Sequence, residues 1–287
     1  MPLTIAQVSS KEQPTWCPGC GDFGIMTAIK QAITQLNVDL ENIVIVSGIG
    51  CGSKMPHFMK TYGFEGLHGR ALAVATGVKL ANPDLTVIAV TGDGDGYGIG
   101  GNHFLHTLRR NLDITWIIEN NAVYGLTKGQ TSPSSVKGFK SPSTPNGAIE
   151  EPINPMALAI AGGATYVARA YSFDMPHLVK TIVEGTKHKG LSVIDTLQYC
   201  PTYNKIQTMD WFKQNLVKVE TLGHDPKNKA AAMELVLANS GKMPYGLFYQ
   251  EEGKWTYEDT LLGIVGGSAA KADLNSIDMG KFMAKYR

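Results

Sequence analysis

Five runs are predominantly apolar, without regular polar alternation: I-V-I-V-S (43–47), L-T-V-I-A-V-T (85–91), I-T-W-I-I-E (114–119), T-Y-V-A-R (165–169) and L-S-V-I-D-T-L (191–197). A strand with one wet face alternates apolar with polar residues. A strand apolar throughout is buried on both faces, as in a parallel sheet covered by helices on each side. Helical stretches lie between the runs, at 23–36, 69–81, 102–111, 155–162 and 175–188. In the first of these, Ile25, Ile29, Ile33 and Leu36 share one face, and Asp22 stands where an N-cap belongs. The alternation predicts an α/β fold, a doubly wound parallel sheet. Such sheets bind their ligands beyond the C-terminal ends of the strands.

The unusual residues fall at those ends. G-I-G-C-G (48–52), G-D-G-D (92–95), Asn120 with Asn121, and Cys200 each follow a predicted strand, so a parallel sheet brings them to one edge. A long loop rich in Ser, Pro and Gly is expected over 128–154. Beyond about residue 205 the pattern fades to a helix near 228–239 and a strand near 246–250, with little organisation legible in 253–287. The expected division is a domain over 1–205 and a C-terminal extension over 206–287 that packs near the cysteines or a partner subunit.

With 43% hydrophobic and 18% charged residues among 287, the chain can bury a substantial core. A net charge of +1 argues against nucleic acid or an anionic membrane as main partner. No apolar run approaches the roughly 18 residues of a membrane span, and no secretory leader is evident. The expected location is cytoplasmic, where the four cysteines are poor candidates for structural disulfides.

T-G-D-G-D suits a diphosphate and a divalent cation. Glycines admit phosphate oxygens close to the backbone, and loop amides stabilise their charge. A carboxylate with an amide oxygen offers hard ligands for Mg²⁺. Asn121 lies 28 residues after Asp93, on the next strand. Gly96, Gly98 and Gly101 also match G-x-G-x-x-G, but they sit several residues past the strand, and the first strand–helix unit carries no such fingerprint. G-I-G-C-G-S-K fails as a phosphate-binding P-loop because Ser53 occupies the second glycine position.

The pair in W-C-P-G-C (16–20) is open to three uses: zinc, a redox dithiol, or an iron–sulfur cluster. A dithiol motif follows a strand, whereas this one follows a polar leader. Structural zinc usually takes two close pairs, and here Cys51 and Cys200 are singles at strand ends. Burial of those two as small apolar residues is the plain structural alternative.

The G-D-G…N-N pair resembles the signature of thiamine-diphosphate enzymes. Taken with W-C-P-G-C-G-D-F-G (16–24), S-G-I-G-C-G-S-K (47–54), L-H-G-R-A (67–71), G-D-G-D-G-Y-G-I-G-G-N-H-F (92–104), N-A-V-Y-G-L-T-K-G-Q-T-S-P (121–133) and C-P-T-Y-N (200–204), the chain resembles the beta subunit of 2-oxoacid:ferredoxin oxidoreductases over roughly residues 14–250. The resemblance implies a diphosphate-binding (PP-type) fold with an irregular C-terminal extension. It implies Mg²⁺ on Asp93, Asn121 and the Val123 carbonyl, and one four-iron–four-sulfur (4Fe-4S) cluster on Cys17, Cys20, Cys51 and Cys200. For thiamine diphosphate the expected wall is Ile49, Gly50, Cys51, Gly52, His68, Gly92, Asp93, Gly94, Asp95, Asn121, Val123, Tyr124, Gly125, Leu126 and Thr127.

The implied reaction is the coenzyme A-dependent oxidative decarboxylation of a 2-oxo acid to an acyl-CoA and CO₂. Electrons leave through the cluster to ferredoxin, and the reaction is reversible in principle. No second cofactor-binding module is present, so the activating carboxylate is expected on an alpha (or fused gamma-alpha) partner. No catalytic residue is assigned to this chain. Lys54 is expected near the substrate, pairing with the distal carboxylate of 2-oxoglutarate or offsetting diphosphate charge, and Leu126 is expected to shape the same pocket. The alternatives are pyruvate, branched-chain or aryl substrates, a non-redox thiamine-diphosphate lyase with structural zinc, and a non-catalytic iron–sulfur scaffold. The chain departs from the family at Asn120–Ala122, where relatives often have Asp-Asn-Gly. His103 and His106, three apart on a helix, are expected to pack or cap rather than bind metal.

Overall fold

In a computed structural model, which describes residues 3–238, 241–273, 275 and 278–286, the five apolar runs form the middle of one eight-stranded sheet. The strands are β1 Ile43–Ser47, β2 Tyr62–Glu65, β3 Thr86–Gly92, β4 Thr115–Asn120, β5 Tyr166–Tyr171, β6 Ser192–Leu197, β7 Leu216–Lys218 and β8 Met243–Gln250, in the order β2-β1-β3-β4-β6-β5-β8-β7. Every neighbouring pair is parallel except β5 with β8. The helices are α1 Ile5–Val8, α2 Asp22–Leu36, α3 Ala71–Ala81, α4 Gly101–Arg110, α5 Pro155–Gly162, α6 Met175–Lys187, α7 Met209–Asn215, α8 Lys229–Leu237, α9 Tyr257–Val265 and α10 Met279–Met283.

Alternation along the strands explains why the runs are apolar throughout. Val44, Val46 and Val87 point into a core shared with α3, α4, α5 and α8, whereas Ile43, Ile45 and Ile88 point into a second core with α2 and α6. Each strand thus buries both faces, and the sheet lies between two helical layers.

Four features differ from the sequence reading. Helix α2 begins at Asp22 itself, with Gly21 as N-cap and no side-chain cap bond. The fully buried Asp22 carboxylate instead accepts from the Cys20 thiol at 3.4 Å. The edge strand β2 escapes a hydrophobicity pattern because all four of its residues are exposed. The strand expected near 246–250 is present as β8, but it pairs antiparallel with β5, and the short β7 beyond it extends the sheet where apolar patterning is weak. Helix α9 stands in a stretch that reads as featureless, yet Thr256 caps its start and Gly266 ends it in the left-handed region. Of the helix expected near 228–239, residue 239 lies outside the described residues. Among the described residues, no helix is long and apolar enough to cross a membrane.

Candidate functional site

The C-terminal ends of β1, β3, β4 and β6 are neighbours in the sheet, and one cleft opens above them. All fifteen residues expected around the cofactor line it, from Ile49 and His68 through Gly92–Asp95 to Asn121 and Thr127. Glu119 and Gln198 line it too, unanticipated from sequence. Glu119 is the penultimate residue of the fully buried β4 and Gln198 directly follows the fully buried β6, and a polar residue there is a signal in its own right.

Close packing fixes the wall. A side chain at Gly52 would put its Cβ 1.1 Å from Glu119 Oε2, at Gly48 1.9 Å from Asp95 Oδ2, and at Gly94 2.2 Å from the Tyr124 ring. At Gly92 and Gly50 an added Cβ would meet nothing within 4 Å. Those two positions leave open room beside exposed backbone, the kind of cradle a diphosphate occupies.

Asp95 holds the wall together. Its Oδ1 accepts from the backbone amides of Ile49 at 3.2 Å and Gly69 at 2.6 Å, and pairs with His68 Nδ1 at 2.5 Å. It therefore ties the loop after β1 to the turn before α3. Its Oδ2 is buried without a partner among the described residues, and burial raises its pKa.

Asp93 is almost fully buried, and burial pushes its carboxyl up to about 6 although hydroxyls of Ser132 and Ser134 donate to Oδ2. No positive side chain among the described residues pairs with it, so a hard cation is a fitting counter-charge. Asn121 lies close by. Its Oδ1 accepts from Val123 N at 3.1 Å, and its carbonyl accepts from Asn204 Nδ2 at 2.9 Å. Ala122 between them has φ +56°, a conformation that favours glycine, so the Asn-Asn-Ala turn takes the backbone shape of an Asn-Gly turn.

Glu119 is 1% exposed, and neither carboxylate oxygen has a hydrogen-bond partner among the described residues. Burial, and then the charge of Asp22, push its pKa well above the carboxylate range. It lines the cleft on the side of Cys51 and Asp22.

The cysteines converge on the same edge. Trp16 Nε1 donates to the Cys51 carbonyl at 2.7 Å, and Gly21 N to the Tyr199 carbonyl at 3.1 Å, so the leader is bound to the ends of β1 and β6. Between these bonds the C-P-G-C turn closes with Cys20 N on the Cys17 carbonyl at 3.0 Å, Gly19 taking φ +80°. Cys51 lies within electrostatic reach of Cys17, Cys20 and Cys200. All four are free thiols. Burial, followed by Asp22 and Glu119, pushes the Cys51 thiol up to about 12, and burial raises Cys20 further. A positively charged core would favour the thiolates of Cys20 and Cys51 against that burial. Among the described residues, no three His, Cys, Asp or Glu side chains surround a point tightly enough for a single metal ion, His103 and His106 included.

Lys54 stands outside the cleft wall. Its ammonium donates to Thr15 Oγ1 at 3.0 Å, beside the leader. Leu126 lines the cleft and is half exposed. Trp211 packs edge-on against Phe212, within a small cluster that includes Leu197 and Tyr199 at the end of β6.

Glycine-opened turns, an unpaired aspartate and an asparagine at adjacent parallel strand ends define a thiamine-diphosphate-binding enzyme. Comparison with known proteins agrees: residues 48–196 match the family described as thiamine pyrophosphate enzyme, C-terminal TPP binding domain. Residues 200–264 match the family formed by the C-terminal part of the pyruvate ferredoxin oxidoreductase beta subunit. The chain is 49% identical over 258 residues to a 2-oxoacid:ferredoxin oxidoreductase subunit beta of Sulfolobus sp, covering 86% of this chain and 85% of the relative. It is 36% identical over 256 residues to the 2-oxoglutarate synthase subunit KorB of Methanothermobacter marburgensis, covering 83% and 89%. A solved 2-oxoglutarate:ferredoxin oxidoreductase from Magnetococcus marinus, with 2-oxoglutarate, coenzyme A and succinyl-CoA bound, superposes with a TM-score of 0.90 at 37% identity, covering 99% of this chain and 96% of that one. The chain belongs to the beta subunits of the 2-oxoacid:ferredoxin oxidoreductases.

Proposed function

We propose that this subunit serves the coenzyme A-dependent oxidative decarboxylation of 2-oxoglutarate, passing electrons through one 4Fe-4S cluster to ferredoxin. The observation that carries the reading is the meeting of four free cysteines and the Asp93–Asn121 cleft on one sheet edge. The substrate rests on relatives whose names or bound ligands specify 2-oxoglutarate.

Thiamine diphosphate, when bound, supplies an electron sink for loss of CO₂ from a 2-oxo acid. This chain's residues set the conditions for that chemistry. The glycine turns after β1 and β3 receive the diphosphate, and Asp93, Asn121 and the Val123 carbonyl hold Mg²⁺ against it. The half-exposed Leu126 covers the cleft mouth. Cys17, Cys20, Cys51 and Cys200 hold the cluster, and Cys51, whose loop also forms the cleft wall, brings it next to the cofactor. Residues 1–205 carry these parts, while in the extension over 206–287 it is α7, packed beside Leu197 and Tyr199, that flanks the cysteine side. Lys54 pairs with the distal carboxylate of 2-oxoglutarate once the assembly reorders its contact with Thr15.

The test is to purify the subunit with its alpha partner without oxygen and assay iron, acid-labile sulfide and zinc. About four irons and four sulfides per chain, with a visible absorbance that bleaches on adding 2-oxoglutarate and coenzyme A, is the expected result. One zinc without sulfide, persisting after anaerobic reconstitution, would replace the ferredoxin reaction with a non-redox thiamine-diphosphate lyase.

A further inference from the structure

The long loop after β4, whose start carries the T-S-P of the 121–133 motif, places three hydroxyls on the cation-binding segment. Ser132 Oγ donates to Asp93 Oδ2 at 2.5 Å, and Ser134 Oγ donates to the same oxygen. Ser135 Oγ donates to the Ala122 carbonyl at 2.7 Å, and Ser132 N donates to Ser135 Oγ at 2.8 Å, closing the turn on itself. Ser132 and Ser135 are buried although the loop bearing them runs to the surface.

A second set of bonds anchors the turn from within the sheet. Ser134 Oγ is also 3.0 Å from Asn120 Oδ1, which accepts from Ala122 N at 3.2 Å. Asn120 Nδ2 donates to Asp195 Oδ1 at 2.9 Å, and that oxygen accepts from Tyr97 OH at 3.0 Å. Asp195 Oδ2 is held by Arg169 Nε at 2.8 Å. A carboxylate at 120 would meet the Asp195 carboxylate where the amide now donates.

We propose that the S-P-S-S turn, residues 132–135, is a latch that sets the divalent-cation affinity of the cleft, with Ser132 and Ser134 acting as positioning residues for Asp93. The inference rests on the reading of Asp93 as a cation ligand. Both hydroxyl donors fall on Oδ2, which fixes the carboxylate plane and leaves Oδ1 for the cation. Hydrogen bonding of this kind to a ligating carboxylate governs affinity without any contact to the metal. The Ser135 bond to Ala122 fixes the turn that carries Asn121 and Val123. One short loop thereby orients all three expected ligands.

The test uses the metal-stripped complex with its alpha partner and thiamine diphosphate, titrated with Mn²⁺, with free ion read by electron paramagnetic resonance. Ser134→Ala weakens Mn²⁺ binding by about tenfold and Ser132→Ala/Ser134→Ala by more. Ser134→Thr restores the affinity, and the melting temperature of the metal-free complex does not fall in the half-buried Ser134→Ala variant. Should the double variant keep its affinity while Asp93→Asn loses it, the latch is wrong and the cation reading stands. Should Asp93→Asn bind Mn²⁺ as tightly as the parent, both fall. Equal losses in Ser134→Ala and Ser134→Thr would assign the effect to packing and overturn the latch.

Discussion

Gly52 and Glu119 meet so closely that one determines the other. With a built Cβ only 1.1 Å from Glu119 Oε2, Gly52→Ala forces a fully buried carboxyl to move. Overpacking of a fixed site costs about 1–3 kcal/mol, and this overlap belongs at the upper end. In a double-mutant cycle read by thermal or denaturant unfolding, Glu119→Ala costs much less in the Gly52→Ala background than in the parent. Strictly additive costs would show that the contact is not the cause. His188 gives a pH effect with a definite sign. Burial lowers its pKa from the ordinary 6.5, while its Nε2 lies 2.8 Å from Thr165 Oγ1. Below pH 6.5 the unfolded chain takes up a proton that the folded one resists, so this contribution to stability falls as pH drops through that point. His188→Gln flattens the acid side of the stability profile, measured by denaturant midpoints across pH. An unchanged slope would place the acid sensitivity elsewhere.

At the scale of elements, residues after 205 show how a tail acquires structure without a strong apolar pattern. Helix α9 depends on its ends and on a few polar ties. Thr256 Oγ1 accepts from Asp259 N at 3.3 Å, Glu258 Oε1 accepts from Asp113 N at 3.1 Å, and Asn111 Nδ2 donates to the Trp255 carbonyl at 3.2 Å. These bonds fasten the tail to the turn between α4 and β4. Thr256→Ala removes a buried cap and lowers stability by about 1 kcal/mol, visible as a reduced denaturant midpoint. No change would mean that the ties to Asn111 and Asp113 suffice to hold the helix. The central strands behave differently. Their two-sided apolar faces made β1, β3, β4, β5 and β6 legible to within one or two residues, because burial on both faces leaves no polar alternation. Strand β2 was illegible for the converse reason, being an exposed edge held by its ladder with β1.

For the whole molecule, strand order is what makes a site. Cys17, Cys51 and Cys200 are remote along the chain, yet β1 and β6 bracket β3 and β4 in the sheet and the leader is bound across their ends. Lys54, expected near the substrate, lies outside the cleft wall with its ammonium on Thr15. Lys54→Ala lowers kcat/KM for 2-oxoglutarate by about 10- to 100-fold, the worth of a charged hydrogen bond, and leaves pyruvate little affected. Equal losses on both substrates would end the carboxylate role.

Residue type and local pattern determined the doubly wound class and the edge on which ligands gather, and the motifs at the strand ends, through the family they resemble, marked fifteen of the seventeen residues that line the cleft. Those depend on strand periodicity and on glycine, aspartate and asparagine at strand ends, which are local properties. Only the tertiary structure decided that Asp95 clasps two loops, that Glu119 is a buried unpaired acid in the wall, and that Asp22 is a buried neighbour of Cys20 and not a cap. It also decided that a serine turn some forty residues after Asp93 closes on it. The roles of these polar groups follow from which atoms become their partners once water is excluded. Those partners come from distant segments, so no local pattern carries them.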